Sequence, residues 1–67
     1  MQQFERVTLD IQGATAVLTL NHVEVMNAIS VDMIGGVVAA LEAIEEQGGV
    51  RCLVLTGQGK AFCTGAN

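Results

Sequence analysis

An α/β fold in the order strand, strand, helix, strand follows from three features of this sequence. Two runs alternate between apolar and polar residues, a longer run has helical spacing, and a nearly continuous aliphatic run is closed by glycine. From Phe4 to Ile11, the side chains of Val7, Leu9 and Ile11 share one face and Thr8 and Asp10 the other, as in a half-buried strand. Gln12-Gly13 reads as a turn. Ala14 to Leu20 then alternates again, with Ala16, Leu18 and Leu20 against Thr15, Val17 and Thr19, so the two runs predict an antiparallel hairpin.

Asn21 to Ile29 follows neither period and carries Asn21, His22 and Asn27, the mark of an irregular connection. Ser30 suits an N-cap, because its hydroxyl can accept from a free backbone N–H of the first helical turn. Glu24 and Asp32 put negative charge near that positive helix end. Between Val31 and Gln47, Ile34, Val37, Val38, Leu41 and Ile44 recur at three-and-four spacing and predict the buried stripe, with Glu42, Glu45 and Glu46 mostly off it. Gly48 is the expected C-cap, where a left-handed conformation favours glycine. Gly35-Gly36 inside the helix costs ~1 kcal/mol per glycine relative to alanine, so packing rather than propensity has to hold this helix. Val50 to Thr56, closed by Gly57, reads as a strand covered on both faces in a parallel sheet.

Composition bounds the function classes. Hydrophobic residues make up 51% of the 67 positions and the only aromatics are Phe4 and Phe62, a core-forming composition rather than a disordered one. A chain this short buries only ~60% of the surface that its unfolded form exposes, so such a composition implies surfaces meant to be covered by further residues. Seven acids stand against Arg6, Arg51 and Lys60, a net charge of -4, with no basic patch for a nucleic acid. Cys52 and Cys63 are the two cysteines and there is one histidine, in no zinc-binding spacing, so no metal site is expected. The amino terminus lacks a basic segment followed by an apolar run, and the longest uncharged apolar stretch, Ile34 to Leu41, is far short of the ~20 residues that cross a membrane. A cytoplasmic protein with reduced thiols and no membrane partner is the expectation.

In α/β folds the segment leaving the carboxyl end of a parallel strand is the usual ligand site, which directs attention to Gly57 through Asn67. Small residues there let the backbone N–H groups of Gly65, Ala66 and Asn67 approach a ligand oxygen, as an oxyanion hole requires. The alternative is a tight loop whose glycines serve only to turn the chain. Two nucleotide motifs fail: Val54 stands where a Walker loop needs its first glycine and Ala61 where it needs Ser or Thr, and Phe62 stands where a dinucleotide fingerprint needs its third glycine. Cys63 and His22 could suggest a thiol nucleophile with its base, but no orienting third residue can be named. Cys63 is instead expected as a small buried side chain, Cys52 as core and His22 as a loop residue without a ligand role. No two carboxylates share an apolar setting that would suit them to acid-base work.

Two runs resemble a known family. Val17-Leu18-Thr19-Leu20-Asn21-His22-Val23-Glu24-Val25-Met26-Asn27-Ala28 is similar to the crotonase (enoyl-CoA hydratase/isomerase) signature, a strand ending in Leu-Asn-Arg-Pro followed by a short loop and Asn-Ala. Val50 to Asn67, with Val50-Arg51, Val54-Leu55-Thr56-Gly57, Ala61-Phe62 and Gly65-Ala66-Asn67, resembles the second signature, V-R-x-x-V-L-T-G followed by G-x-A-F-x-x-G-A-D.

The resemblance implies that residues 1–67 are the incomplete N-terminal part of a crotonase-like domain, the start of a strand-strand-helix spiral that assembles into homo-trimers or hexamers. The ligand it implies is an acyl-CoA thioester as substrate, with no other cofactor. By the same resemblance the backbone N–H of Ala66 is the first oxyanion donor. Thr64 and Gly65 lie against the CoA adenine and pantetheine, with Ala66 and Asn67 completing that stretch, and Val25, Met26 and Ala28 line the CoA on the other side. His22-Val23 stands where the family has Arg-Pro and Asn67 where it often has aspartate. The second oxyanion donor and the catalytic carboxylates are expected beyond Asn67, which leaves hydratase, isomerase, hydrolase and dehalogenase members undistinguished and the chain alone inactive. A non-catalytic small α/β binding module that shares the pattern is the competing expectation.

Overall fold

The computed structural model describes residues 1–65 and has four strands and one long helix. The strands are β1 (Gln2–Phe4), β2 (Val7–Gln12), β3 (Thr15–Leu20) and β4 (Cys52–Gly57), and the helix α1 spans Val31–Gln47. They form one sheet in the order β1-β2-β3-β4, antiparallel except for the parallel pair β3 and β4. The strand expected from Phe4 to Ile11 is therefore two strands. The chain reverses at Glu5-Arg6, where Arg6 takes a φ of 61°, a conformation that a non-glycine residue adopts uncommonly and that no glycine, asparagine or aspartate signals here. The expected hairpin forms as β2 and β3 around Gly13, whose φ is 60°.

Register builds the core. Val7 pairs with Leu20, Leu9 with Leu18 and Ile11 with Ala16, so their side chains share the sheet face turned to α1. Val7, Leu9, Ala16, Leu18 and Leu20 are buried there with Met33 and Ala40 of the helix. Each large aliphatic side chain removed from water in this way stabilises the fold by ~1.5–3 kcal/mol.

Helix α1 has the expected limits. The Ser30 hydroxyl accepts from the Met33 N–H at 3.2 Å, and Gly48 donates its N–H to the Ile44 carbonyl at 3.1 Å. The C-cap has a positive φ of 74°, as expected, but a ψ of 167° takes it outside the left-handed helical well. The buried face, however, is rotated from the one expected. Met33, Gly36 and Ala40 are buried, Val37, Ala43 and Ile44 partly so, while Ile34, Val38 and Leu41 of the apolar stripe are exposed.

Close approach explains this choice. A Cβ on Gly36 would overlap the backbone carbonyl of Glu5, so the glycine lets α1 lie directly on the β1–β2 turn, whereas a Cβ on Gly35 would meet nothing within 4 Å. Gly36→Ala is therefore expected to destabilise the full-length gene product by ~1–3 kcal/mol as an overpacked contact, and Gly35→Ala is not. Urea unfolding midpoints of the two variants check this; equal midpoints would remove the close-approach argument.

Because α1 sits over β1, β2 and part of β3, it does not reach β4. The fourth strand, expected to be covered on both faces, is exposed from Cys52 to Thr56. Cys52, expected in the core, is exposed because its odd register with Thr15 turns it to the sheet face away from the helix. Cys63 is half-buried and packs against the core. Among the described residues no helix is long and apolar enough to cross a membrane.

Candidate functional site

The parallel strands β3 and β4 end at the same edge of the sheet, with Leu20 paired to Gly57. Two loops leave that edge together, one from Asn21 to Ser30 and one beginning at Gln58. The second is tied down at once, since the Gln58 N–H donates to the Leu20 carbonyl at 2.8 Å. It then folds back so tightly that a Cβ on Gly57 would overlap the carbonyl oxygen of Phe62. Glycine at this position is what permits the return.

The first loop contains a short 3₁₀ helix, Val23–Val25, followed by two residues of positive φ, Met26 at 50° and Asn27 at 58°. Asparagine tolerates this conformation better than most side chains do. Asn27 is fully buried, with 0% exposure, and all of its side-chain hydrogen-bonding groups are used. The Oδ1 accepts from the His22 N–H at 2.7 Å, and the Nδ2 donates to the carbonyls of Gln58 and Ala61, each at 2.9 Å. Two residues on, the Ile29 N–H donates to the Gly65 carbonyl at 3.0 Å. Residues 27–29 thus hold the loop after β4 at its beginning, its middle and its far end.

The residues singled out from sequence fall on these two loops. Val25 and Met26 are exposed apolar side chains on the 3₁₀ turn, and Ala28 beside them is half-buried. Thr64 is exposed and Gly65, at a φ of 97°, is half-buried, with open space where a Cβ would stand. Ala66 and Asn67 lie outside the described residues. The Ile29–Gly65 bond links the two groups. His22 is half-buried in the first loop and its Nδ1 is buried without a hydrogen-bond partner; Cys63 lies in the second. Glu24 sits in the first turn of the 3₁₀ helix rather than at the start of α1, where Asp32 is the acidic residue. Asn27 was legible as a residue of an irregular connection and as the asparagine of the Asn-Ala pair in the first signature, but nothing local in the sequence marks its bonds to positions 31 and 34 residues away.

Beside this edge an open groove of about 450 Å³ runs between α1 and β4. Its walls are apolar: Ile34, Val38 and Leu41 from the helix, Leu53 and Leu55 from β4, and Phe62 from the loop. No carboxylate, histidine or cation lines it. Among the described residues no three metal-ligating side chains come together.

Residues 10–67 match the family model described as enoyl-CoA hydratase/isomerase. The protein named "Probable enoyl-CoA hydratase EchA14" of Mycobacterium tuberculosis is 36% identical over 67 residues, all of this chain and 26% of the relative. The "3-hydroxyisobutyryl-CoA hydrolase 1" of Arabidopsis thaliana is 33% identical over the same length, 18% of that relative. A crystal structure of an enoyl-CoA hydratase/isomerase from Mycobacterium paratuberculosis superposes with a TM-score of 0.88 at 40% identity, covering 97% of this chain and 26% of that one. The chain thus spans about a quarter or less of the length of these proteins. Similar identity to a named hydratase and a named hydrolase means that this stretch carries features common to both and does not separate their reactions.

Proposed function

Because this chain belongs to the enoyl-CoA hydratase/isomerase family, we propose that it forms one wall of an acyl-CoA site in an enzyme of hydratase or isomerase type. In this reading residues 1–67 are the first part of one crotonase-like domain that assembles into a homo-trimer or hexamer. The loop after β4 receives the thioester, with the Ala66 backbone N–H as one oxyanion donor and Thr64, Gly65 and Asn67 along the CoA. Val25, Met26 and Ala28 line the CoA from the facing loop. Exposed apolar side chains on a turn bonded to the ligand loop support that assignment.

One observation carries the reading: the Gly65 carbonyl is engaged by the Ile29 N–H at 3.0 Å. In a planar trans peptide the N–H that follows a carbonyl points the opposite way. With the Gly65 oxygen committed to Ile29, that carbonyl is not offered to a ligand, which supports the proposed use of the following N–H as the donor. A backbone donor aimed at the thioester oxygen stabilises the enolate charge as it develops, by ~3 kcal/mol or more. The groups that move protons in this enzyme are proposed to come from outside residues 1–67.

The test is calorimetric titration of the full-length gene product with crotonyl-CoA. Gly65→Val is expected to weaken binding about tenfold or more, since a β-branched residue held near the Gly65 φ of 97° is strained by ~1–3 kcal/mol and places its methyls toward the ligand. Cys63→Ser, a change to a half-buried side chain of the same loop that packs against the core, is expected to leave affinity within about threefold. Equal losses in the two variants would overturn the assignment of this loop to the thioester.

A further inference from the structure

We propose that Asn27 is a positioning residue, whose buried amide sets the shape of the loop after β4 in which the acyl-CoA thioester is bound. The inference rests on the acyl-CoA reading above and adds to it the group that holds the site in place. A buried polar side chain is retained only when its hydrogen bonds are made. Asn27, at 0% exposure, makes three, and all go to backbone groups of the two loops at the end of the sheet.

The geometry explains why asparagine is suited to this. The side chain offers two N–H donors and a carbonyl acceptor on one planar group. The two donors meet the Gln58 and Ala61 carbonyls and the acceptor meets the His22 N–H, so no atom of the amide is left over. Aspartate would keep the acceptor but set a carboxylate against two carbonyl oxygens. The backbone adds a second requirement, a φ of 58°, which glycine meets and alanine does not meet without strain.

Fixing those two carbonyls fixes more than the loop's position. With the Gln58 and Ala61 oxygens turned toward Asn27, the N–H groups of Gly59 and Phe62 are turned away from it. Gln58 is held on both sides, by Leu20 through its N–H and by Asn27 through its carbonyl. Releasing Asn27 frees the middle of the loop while the Ile29–Gly65 bond still holds its far end. A displacement of ~1 Å at a reacting centre lowers the rate about a hundredfold, which is the scale expected here.

The test compares the full-length gene product with Asn27→Gly, which removes the three bonds and keeps the backbone conformation, and with Asn27→Asp, which keeps the side-chain shape. Butyryl-CoA labelled isotopically at its thioester carbonyl is the probe, because it cannot be hydrated and its carbonyl stretch reports polarisation by the site. The unchanged protein is expected to lower the stretching frequency of the bound carbonyl. Both variants are expected to bind within about tenfold of it while that frequency returns toward the value of the free thioester. With crotonyl-CoA, kcat is expected to fall about a hundredfold at a KM changed only a few-fold, the signature of an interaction made in the transition state. The frequency belongs to bound ligand and is not moved by a smaller folded fraction, so a merely structural role leaves it unchanged. No shift in the unchanged protein would overturn the acyl-CoA reading and this inference together. A shift that persists undiminished in the variants, or a failure of both variants to fold, would overturn the inference alone.

Discussion

Incubated with crotonyl-CoA, a chain consisting of these 67 residues alone is expected to consume the conjugated thioester no faster than buffer does. A positioned acid or base contributes ~100- to 10,000-fold to such a reaction, and among the described residues no acidic side chain lines the groove to act as one. Glu5, Glu24, Asp32, Glu42, Glu45 and Glu46 are exposed, and none lines the groove. Asp10 is half-buried and accepts from the Gln12 Nε2 at 2.9 Å, but it pairs with Val17 on the sheet face away from α1. The single histidine, His22, is half-buried in the first loop and does not line the groove. Removing one oxyanion donor already costs ~100- to 1000-fold, and Ala66 could supply only one. The combined deficit, about 10,000-fold or more, puts turnover below detection. Loss of the thioester absorbance is the measurement. Turnover that survives Glu24 and Asp32 substitutions but disappears on Ala66→Pro would show the chain to be a complete catalyst and overturn the proposed division of labour.

What was legible in the sequence was what local chemistry determines. The limits of α1 follow from Ser30 and Gly48, and the caps found are the caps expected, because each bonds within its own turn. The hairpin of β2 and β3 and the parallel pairing of β4 follow equally from alternation and from an aliphatic run. The turn at Glu5-Arg6 was not legible, since the apolar alternation passes through it and Arg6 carries no turn signal. Nor was the burial of α1: an apolar stripe says that a face is to be covered, not by what. Here the small residues Gly36 and Ala40 face the sheet because they let it come close, and Ile34, Val38 and Leu41 are left outside.

The site divides in the same way. Glycines at 57, 59 and 65 announced a tight loop at the end of β4, and positive φ at Gly59 and Gly65 is the conformation for which glycine is used. The clamp formed by Asn27 joins segments more than 30 residues apart, and no periodicity or spacing encodes such a contact. It is read only once the sheet has brought the ends of β3 and β4 together.

The same open flank decides how the isolated 67-residue chain should behave in solution. It is expected to self-associate and to unfold without a sharp, concentration-independent transition. Ile34, Val38, Leu41, Leu53, Leu55 and Phe62 are all between 42% and 53% exposed, and they line one groove rather than being scattered. A contiguous apolar surface of this kind is rarely left bare by a monomer. The strand β4 adds an open edge, whose unpaired backbone groups can template pairing with another chain, and no charged residue lies between Cys52 and Gly57 to oppose it. The opposite sheet face is a weaker candidate, because Thr8, Asp10, Thr15, Thr19 and Thr56 make most of it polar. Association should therefore run through the groove and the β4 edge. Sedimentation velocity over a hundredfold concentration range is expected to show assemblies that grow with concentration, and the pair Ile34→Glu and Leu55→Glu to shift them toward monomer by charging both walls. Thr8→Glu, a charge added on the other face, is expected to change the distribution far less. A monomer at every concentration with one cooperative unfolding transition would mean that the groove and edge are tolerated bare, and that the fold described for residues 1–65 is stable without anything to cover them.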